Sequence, residues 1–203
     1  MRFIGLVAMS VLTLAVACHR GSAQAPGDPV SLSDQRPRIE GLLRDLAAVL
    51  LADPILLDGV RSASAGNDDW PPALIAERDN QWRLQAKRGV GPLLDQVLGG
   101  PLSRQLVLLR LPLAGLLADL ALMDDRGLLI AATRLTSDYD QSDEPKFMET
   151  LPAGPGAILV EPPAYDESAD DYVIAASITL TDPWTGRPIG VLTANIALDT
   201  LDR

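Results

Sequence analysis

Ala118-Asp119-Leu120-Ala121-Leu122-Met123-Asp124-Asp125-Arg126-Gly127-Leu128-Leu129-Ile130-Ala131-Ala132-Thr133-Arg134 is the stretch that decides the fold. Two short apolar runs flank Asp-Asp-Arg-Gly. Asp bonds its own backbone locally, and Gly accepts a positive φ without steric cost. The spacing predicts a strand from Ala118 to Met123, a hairpin turn at Asp124–Gly127 and a returning strand from Leu128 to Arg134.

On the C-terminal side, three more strands are expected at Ile158 to Glu161, Tyr172 to Leu180 and Ile189 to Ala197. The last two are joined by Asp182-Pro183-Trp184-Thr185-Gly186-Arg187, a Pro/Gly turn. Toward the N-terminus the period lengthens to that of a helix. Pro37 opens a stripe of Ile39, Leu42, Leu43, Leu46, Val49 and Leu50, spaced at about 3.6 residues. Asp53-Pro54 reads as an N-cap with Pro at the first helical position, so a second helix or a kinked continuation of the first runs to about Ser62. Further helices follow from Pro71-Pro72 through Trp82, at Pro92–Leu98 and at Leu102–Leu109. Helices first and then five antiparallel strands imply an α+β fold, with the N-terminal helices packed on the sheet.

The N-terminus carries an address. Met1-Arg2 is followed by an uncharged apolar run from Phe3 to Ala17, shorter than the roughly 18 to 20 residues a membrane span needs. It ends in small residues before Cys18, as in Leu14-Ala15-Val16-Ala17-Cys18, which resembles the bacterial lipobox. Residues 1–17 are expected to be a signal peptide, 18–36 a lipidated tether and 37–203 one domain. The expected location is the periplasmic side of a bacterial membrane, anchored through acylated Cys18. Ordinary cleavage after Ala17 and an uncleaved signal anchor are the alternatives.

The balance of 27 acidic against 17 basic residues, a net charge of −10, argues against nucleic acid as a partner. Cys18 and His19 are the only cysteine and histidine, so thiolate or imidazole zinc sites, Cys nucleophiles and Ser-His-Asp triads are excluded. No cofactor is implied, and no enzymatic activity is expected.

Asp124-Asp125-Arg126-Gly127, Ala131-Ala132 and the run Thr136-Ser137-Asp138-Tyr139-Asp140-Gln141-Ser142-Asp143-Glu144-Pro145-Lys146-Phe147 resemble extracellular Cache domains, the PAS-like PDC sensors. The resemblance covers roughly residues 37 to 201. Leu151-Pro152-Ala153-Gly154-Pro155-Gly156, Pro188-Ile189-Gly190-Val191-Leu192, Leu51-Ala52-Asp53-Pro54 and Asp79-Asn80-Gln81-Trp82 fit it as well. It implies a PAS-like sheet and a small-molecule pocket beside the loop after the second strand. Two positions depart from the family pattern, which favours Trp at Asp140 and Gly at Ser142, and altered ligand chemistry is expected there. Such domains usually precede a transmembrane helix and a cytoplasmic kinase or chemotaxis module. This sequence ends at Arg203, so a separate membrane signalling or transport partner is expected.

The candidate ligand-binding residues are Asp138, Tyr139, Asp143, Glu144, Lys146 and Tyr172. Five of the seven aromatics after the leader fall between Tyr139 and Trp184, which suits an apolar-walled pocket. An aromatic face beside a carboxylate suits an ammonium, and Lys146 or Arg134 is available for a ligand carboxylate. An amine or amino-acid-like ligand is therefore expected. Two structural readings stand beside this one. Asp143-Glu144 is also how a helix starts, and Tyr139 is equally readable as a core residue. The corresponding alternative function is an envelope scaffold lipoprotein that binds no ligand.

Overall fold

The computed structural model describes residues 31–166 and 171–201. The apolar leader, Cys18 and most of the expected tether lie outside the described residues. Among those described, no helix is long and apolar enough to cross a membrane.

Five helices precede the sheet: α1 (Leu32–Ala52), α2 (Pro54–Asn67), α3 (Pro72–Arg88), α4 (Pro92–Leu98) and α5 (Pro101–Arg110). The last four each carry proline in the first turn, where the missing N–H costs no hydrogen bond. At α2, Asp53 Oδ1 accepts from the N–H groups of Ile55 and Leu56 at 2.8 and 3.3 Å. One expectation fails at α1. The helix begins ahead of Pro37, because the Ser31 side chain caps it by accepting from the Asp34 N–H. Pro37 then sits inside the helix, where its ring forfeits one bond near the start and leaves the apolar stripe intact. Residues 32–36 are therefore helical rather than tether.

The strands are β1 (Leu117–Asp124), β2 (Leu129–Ala132), β3 (Ile158–Val160), β4 (Ala164–Asp166), β5 (Asp171–Thr181) and β6 (Pro188–Ala197). They form one antiparallel sheet in the order β2-β1-β6-β5-β3, with β4 also paired to β5. The sheet has six strands rather than the expected five. The extra one, β4, is three residues long and follows Pro162-Pro163, too short and too interrupted to show a period. Two short helices, α6 (Pro145–Met148) and α7 (Leu198–Leu201), complete the chain.

The hairpin forms as its residues demand. Asp124 Oδ1 accepts from the N–H groups of Arg126 and Leu128, both at 2.9 Å. Gly127 adopts φ +84°. Asp124 Oδ2 also accepts from Asn67 Nδ2 at 2.7 Å, which ties the turn to the end of α2. Arg126 satisfies that end further by donating to the carbonyls of Asn67, Asp68 and Trp70.

The two sheet faces differ in chemistry. On one, Leu120, Leu122, Ile174, Ile178, Leu192 and Ile196 pack with Ile39, Leu43 and Leu50 of α1 and Leu56 and Val60 of α2. A fully buried Leu or Ile contributes about 1.5–3 kcal/mol, so this is the principal core. The alternate residues facing the other way include Asp119, Ala121, Thr193, Asn195 and Ser177. A smaller core lies on that side, where Trp82 of α3 packs with Leu93, Leu94, Val97, Ala121, Leu129 and Tyr139. Small and polar side chains along those strands leave the space between α3 and the sheet partly unfilled.

Candidate ligand-binding site

That unfilled space is a cavity of about 730 Å³, within the range of small-molecule sites. Its strand wall is Asp119, Leu120 and Ala121 of β1, with Asn195 of β6 and Asp166 of β4. Helix α3 contributes Arg83, Ala86 and Lys87. The segment after β2 supplies Arg134 to Ser137, and Glu144 and Lys146 close the rim.

Asp119 and Asn195 are direct cross-strand partners. Asn195 Nδ2 donates to Asp119 Oδ2 at 3.2 Å and to Asp166 Oδ2 at 3.4 Å. Burial pushes the Asp119 carboxyl up from its ordinary range, and the nearby Asp166 adds to this. The Asn195 hydrogen bond and the charges of Arg134 and Lys146 oppose that rise without cancelling it. Desolvation disfavours the charged form, so a carboxylate here gains from an incoming cation.

The cationic side of the lining is arranged differently. Lys146 Nζ pairs with Glu144 Oε2 at 2.8 Å. Arg83 is held by Asp79 at 2.8 Å and lies 3.7 Å from Asp138. Burial raises the pKa of Glu161, and the Lys146 charge moderates it.

The loop above the cavity is pinned from α3. Asp79 Oδ1 accepts from the N–H groups of Tyr139 and Asp140 at 3.0 and 3.3 Å, and Trp82 Nε1 donates to the Thr136 carbonyl at 3.0 Å. Gln141, 1% exposed, donates its N–H to the Gly127 carbonyl at 2.9 Å and its side chain to Asp138.

Of the six residues proposed from sequence, the structure brings Glu144 and Lys146 to the cavity. Asp138 lies behind its wall, accepting from Ser137 and Gln141, its carboxyl pushed up by burial and by Glu144. Tyr139 packs in the smaller core with its ring centroid 6.1 Å from that of Trp82, facing away from this cavity. Asp143 is exposed. Tyr172 is 55% exposed and stacks edge-on against Tyr165 on the β4–β5 hairpin, centroids 5.5 Å apart. The two departures from the family pattern do not face the cavity either. Asp140 Oδ1 accepts from the Ser142 N–H at 3.1 Å, and Ser142 packs onto Gly127.

Sequence reasoning did not place Asp119, Asn195, Arg83, Lys87 or Asp166 at the site. A signal existed for the first two. Asp119 interrupts Leu116-Leu117-Ala118 and Leu120-Ala121-Leu122, and Asn195 stands between Ala194 and Ile196. A polar residue within a buried strand needs a partner or a function. Among the described residues, no cluster of three or more His, Cys, Asp or Glu is placed to hold a metal ion.

No protein-family model matches the sequence, and no curated protein matches it. Solved structures do. The sensor domain of Escherichia coli DcuS superposes with a TM-score of 0.49 at 12% identity, covering 82% of this chain and 94% of that one. The ligand-binding domain of the Pseudomonas aeruginosa amino acid chemoreceptor PctC, solved with GABA, gives 0.43 at 17% identity. That match covers 82% of this chain, which spans 57% of the PctC domain. The ligand-binding domain of the Campylobacter jejuni chemoreceptor Tlp3, solved with L-valine, gives 0.41 at 17% identity, covering 87% and 68%. Each of the three is a sensor or ligand-binding domain, and it is to such domains that the chain is similar.

Proposed function

We propose that the chain is a Cache-type sensor that binds a small amine or amino-acid-like molecule between α3 and the sheet. The observation that carries this reading is Asp119. It is a mostly buried carboxylate on the cavity wall whose one hydrogen bond among the described residues comes from an amide shared with a second acid. The Asn195 amide spends its hydrogens on Asp119 and Asp166, so its Oδ1 remains an acceptor. Two carboxylates and one carbonyl oxygen suit the three N–H donors of a primary ammonium. Of the four cations in the lining, Lys146 and Arg83 are already paired with acids and Lys87 is exposed, which leaves the half-buried Arg134 best placed for a ligand carboxylate.

In this reading the domain is held at the periplasmic face of a membrane by acylated Cys18. The apolar leader and the small residues before Cys18 support that anchor. Acyl chains stabilise attachment by about 0.8 kcal/mol per buried methylene, so two or three hold where one does not. A tethered sensor of this kind acts on a separate membrane protein.

A thermal-shift screen of amino acids, amines and carboxylates on the full-length chain tests the binding reading. A ligand at about 100 times its Kd stabilises the folded state by about 2.7 kcal/mol. Stabilisation by ammonium-bearing compounds is expected, and by none of their neutral analogues. No shift with any compound would favour a scaffold role instead.

A further inference from the structure

A second cavity, of about 320 Å³, lies on the far side of the segment carrying Tyr139, between α2, α3, α4 and strand β2. Its volume is at the lower end of small-molecule sites. Val97, Leu102, Leu129 and Ile130 give it apolar walls. The α2 side is lined by Ser62, Ala63 and Gly66, and a Cβ at Gly66 would meet nothing within 4 Å.

Among the described residues, Arg78 is the only charged one in the lining. Its guanidinium lies 4.5 Å from the centroid of the Trp70 ring, which also lines the cavity. No carboxylate of the described residues lies within ion-pair distance of it. This contrasts with Arg83, one and a half turns along the same helix, which two acids hold. Tyr139 brings a second aromatic ring. Burial raises its hydroxyl pKa, and the neighbouring Arg78 opposes that rise. A planar cation fixed over an indole keeps its outward N–H groups in a fork that matches a carboxylate.

We propose that this cavity binds a small organic anion, a carboxylate with a compact apolar or aromatic body, at a site separate from the cavity containing Asp119. The carboxylate meets Arg78, and the body lies against Trp70, Tyr139 and the aliphatic wall. The small side chains of α2 provide the room. This site selects against the cationic end of the ligands proposed for Asp119, because Arg78 is positive.

Benzoate is the probe, with benzamide as its neutral isostere, titrated calorimetrically into the full-length chain. Benzoate is expected to bind and benzamide to bind at least tenfold more weakly, as loss of a charge-assisted contact dictates. Arg78→Gln should weaken benzoate by about tenfold or more. Ala63→Leu should do so by filling the space, and it leaves all charges in place should Arg78→Gln disturb the fold. Arg134→Gln, in the other cavity, should leave benzoate unchanged. Absence of benzoate binding, equal binding of benzamide, or weakening by Arg134→Gln but not by Arg78→Gln and Ala63→Leu would overturn the proposal.

Discussion

Asn195 on β6 donates one side-chain amide to two acids, Asp119 on β1 at 3.2 Å and Asp166 on β4 at 3.4 Å. Three strands thus meet at one nitrogen on the wall of the larger cavity. The arrangement concentrates negative charge where desolvation disfavours it, so the folded state bears a cost that the proposed ammonium ligand would relieve.

The pH dependence follows in sign. The folded pKa of Asp119 is raised, so between its unfolded value of about 3.9 and the raised value the folded state holds the extra proton. Its contribution to stability is most favourable below that window and falls as pH rises through it. Asp119→Asn should therefore raise the melting temperature at neutral pH and flatten its pH profile in the mildly acidic range. Melting curves of both proteins across that range check this. Affinity for an ammonium ligand should fall as pH falls through the same window, because protonated Asp119 no longer attracts it.

Trp82 joins the smaller core to the cavity wall, being fully buried while its Nε1 donates to the Thr136 carbonyl at 3.0 Å. Trp82→Phe removes the donor but keeps most of the ring, and should cost about 1–3 kcal/mol. Trp82→Ala should cost about 3–5 kcal/mol. Urea denaturation measures both.

Asp79 pins the loop through the N–H groups of Tyr139 and Asp140 and also holds Arg83. Asp79→Ala should destabilise the domain by about 1–3 kcal/mol and speed amide hydrogen exchange at Tyr139 and Asp140. Equal protection in the variant would show that the loop is held by other contacts.

Gly127 adopts φ +84°, and a Cβ there would lie 2.7 Å from Ser142 Cα. Gly127→Ala combines backbone strain with a clash against backbone, and should cost more than about 1 kcal/mol. The Ser142 departure from the family pattern is thus coupled to the hairpin rather than to the cavity.

The sequence was legible where local chemistry dominates. Asp124 and Gly127 specify the hairpin, and the prolines at the starts of α2 to α5 mark the helices closely. It was less legible where position depends on distant chain. Strand β4 exists because β5 offers it an edge, and nothing within Ala164-Tyr165-Asp166 announces that. Tyr139, in the loop after β2, and Lys146, in α6, are close in sequence, yet one packs against Trp82 and the other faces the cavity. Only the docking of α3 decides which. Asp119 and Asn195 become a site because β1 and β6 pair in one register, and sequence shows each only as a polar residue in an apolar run.

Tyr172→Ala separates the exposed hairpin from the cavity. Tyr172 stacks on Tyr165 outside the lining, so the variant should leave amine affinity within about twofold, a change of about 0.4 kcal/mol. A larger loss, measured by calorimetry, would place the hairpin in contact with the ligand.

The proposed function turns on Asp119 receiving a ligand ammonium. It is tested most directly by titrating the most stabilising amine from the thermal-shift screen into the wild-type chain and the Asp119→Asn variant at neutral pH. Saturable binding to wild type is expected, with at least about tenfold weaker binding to the variant, the loss that goes with one charge-assisted hydrogen bond. Equal affinity for the two proteins would contradict it.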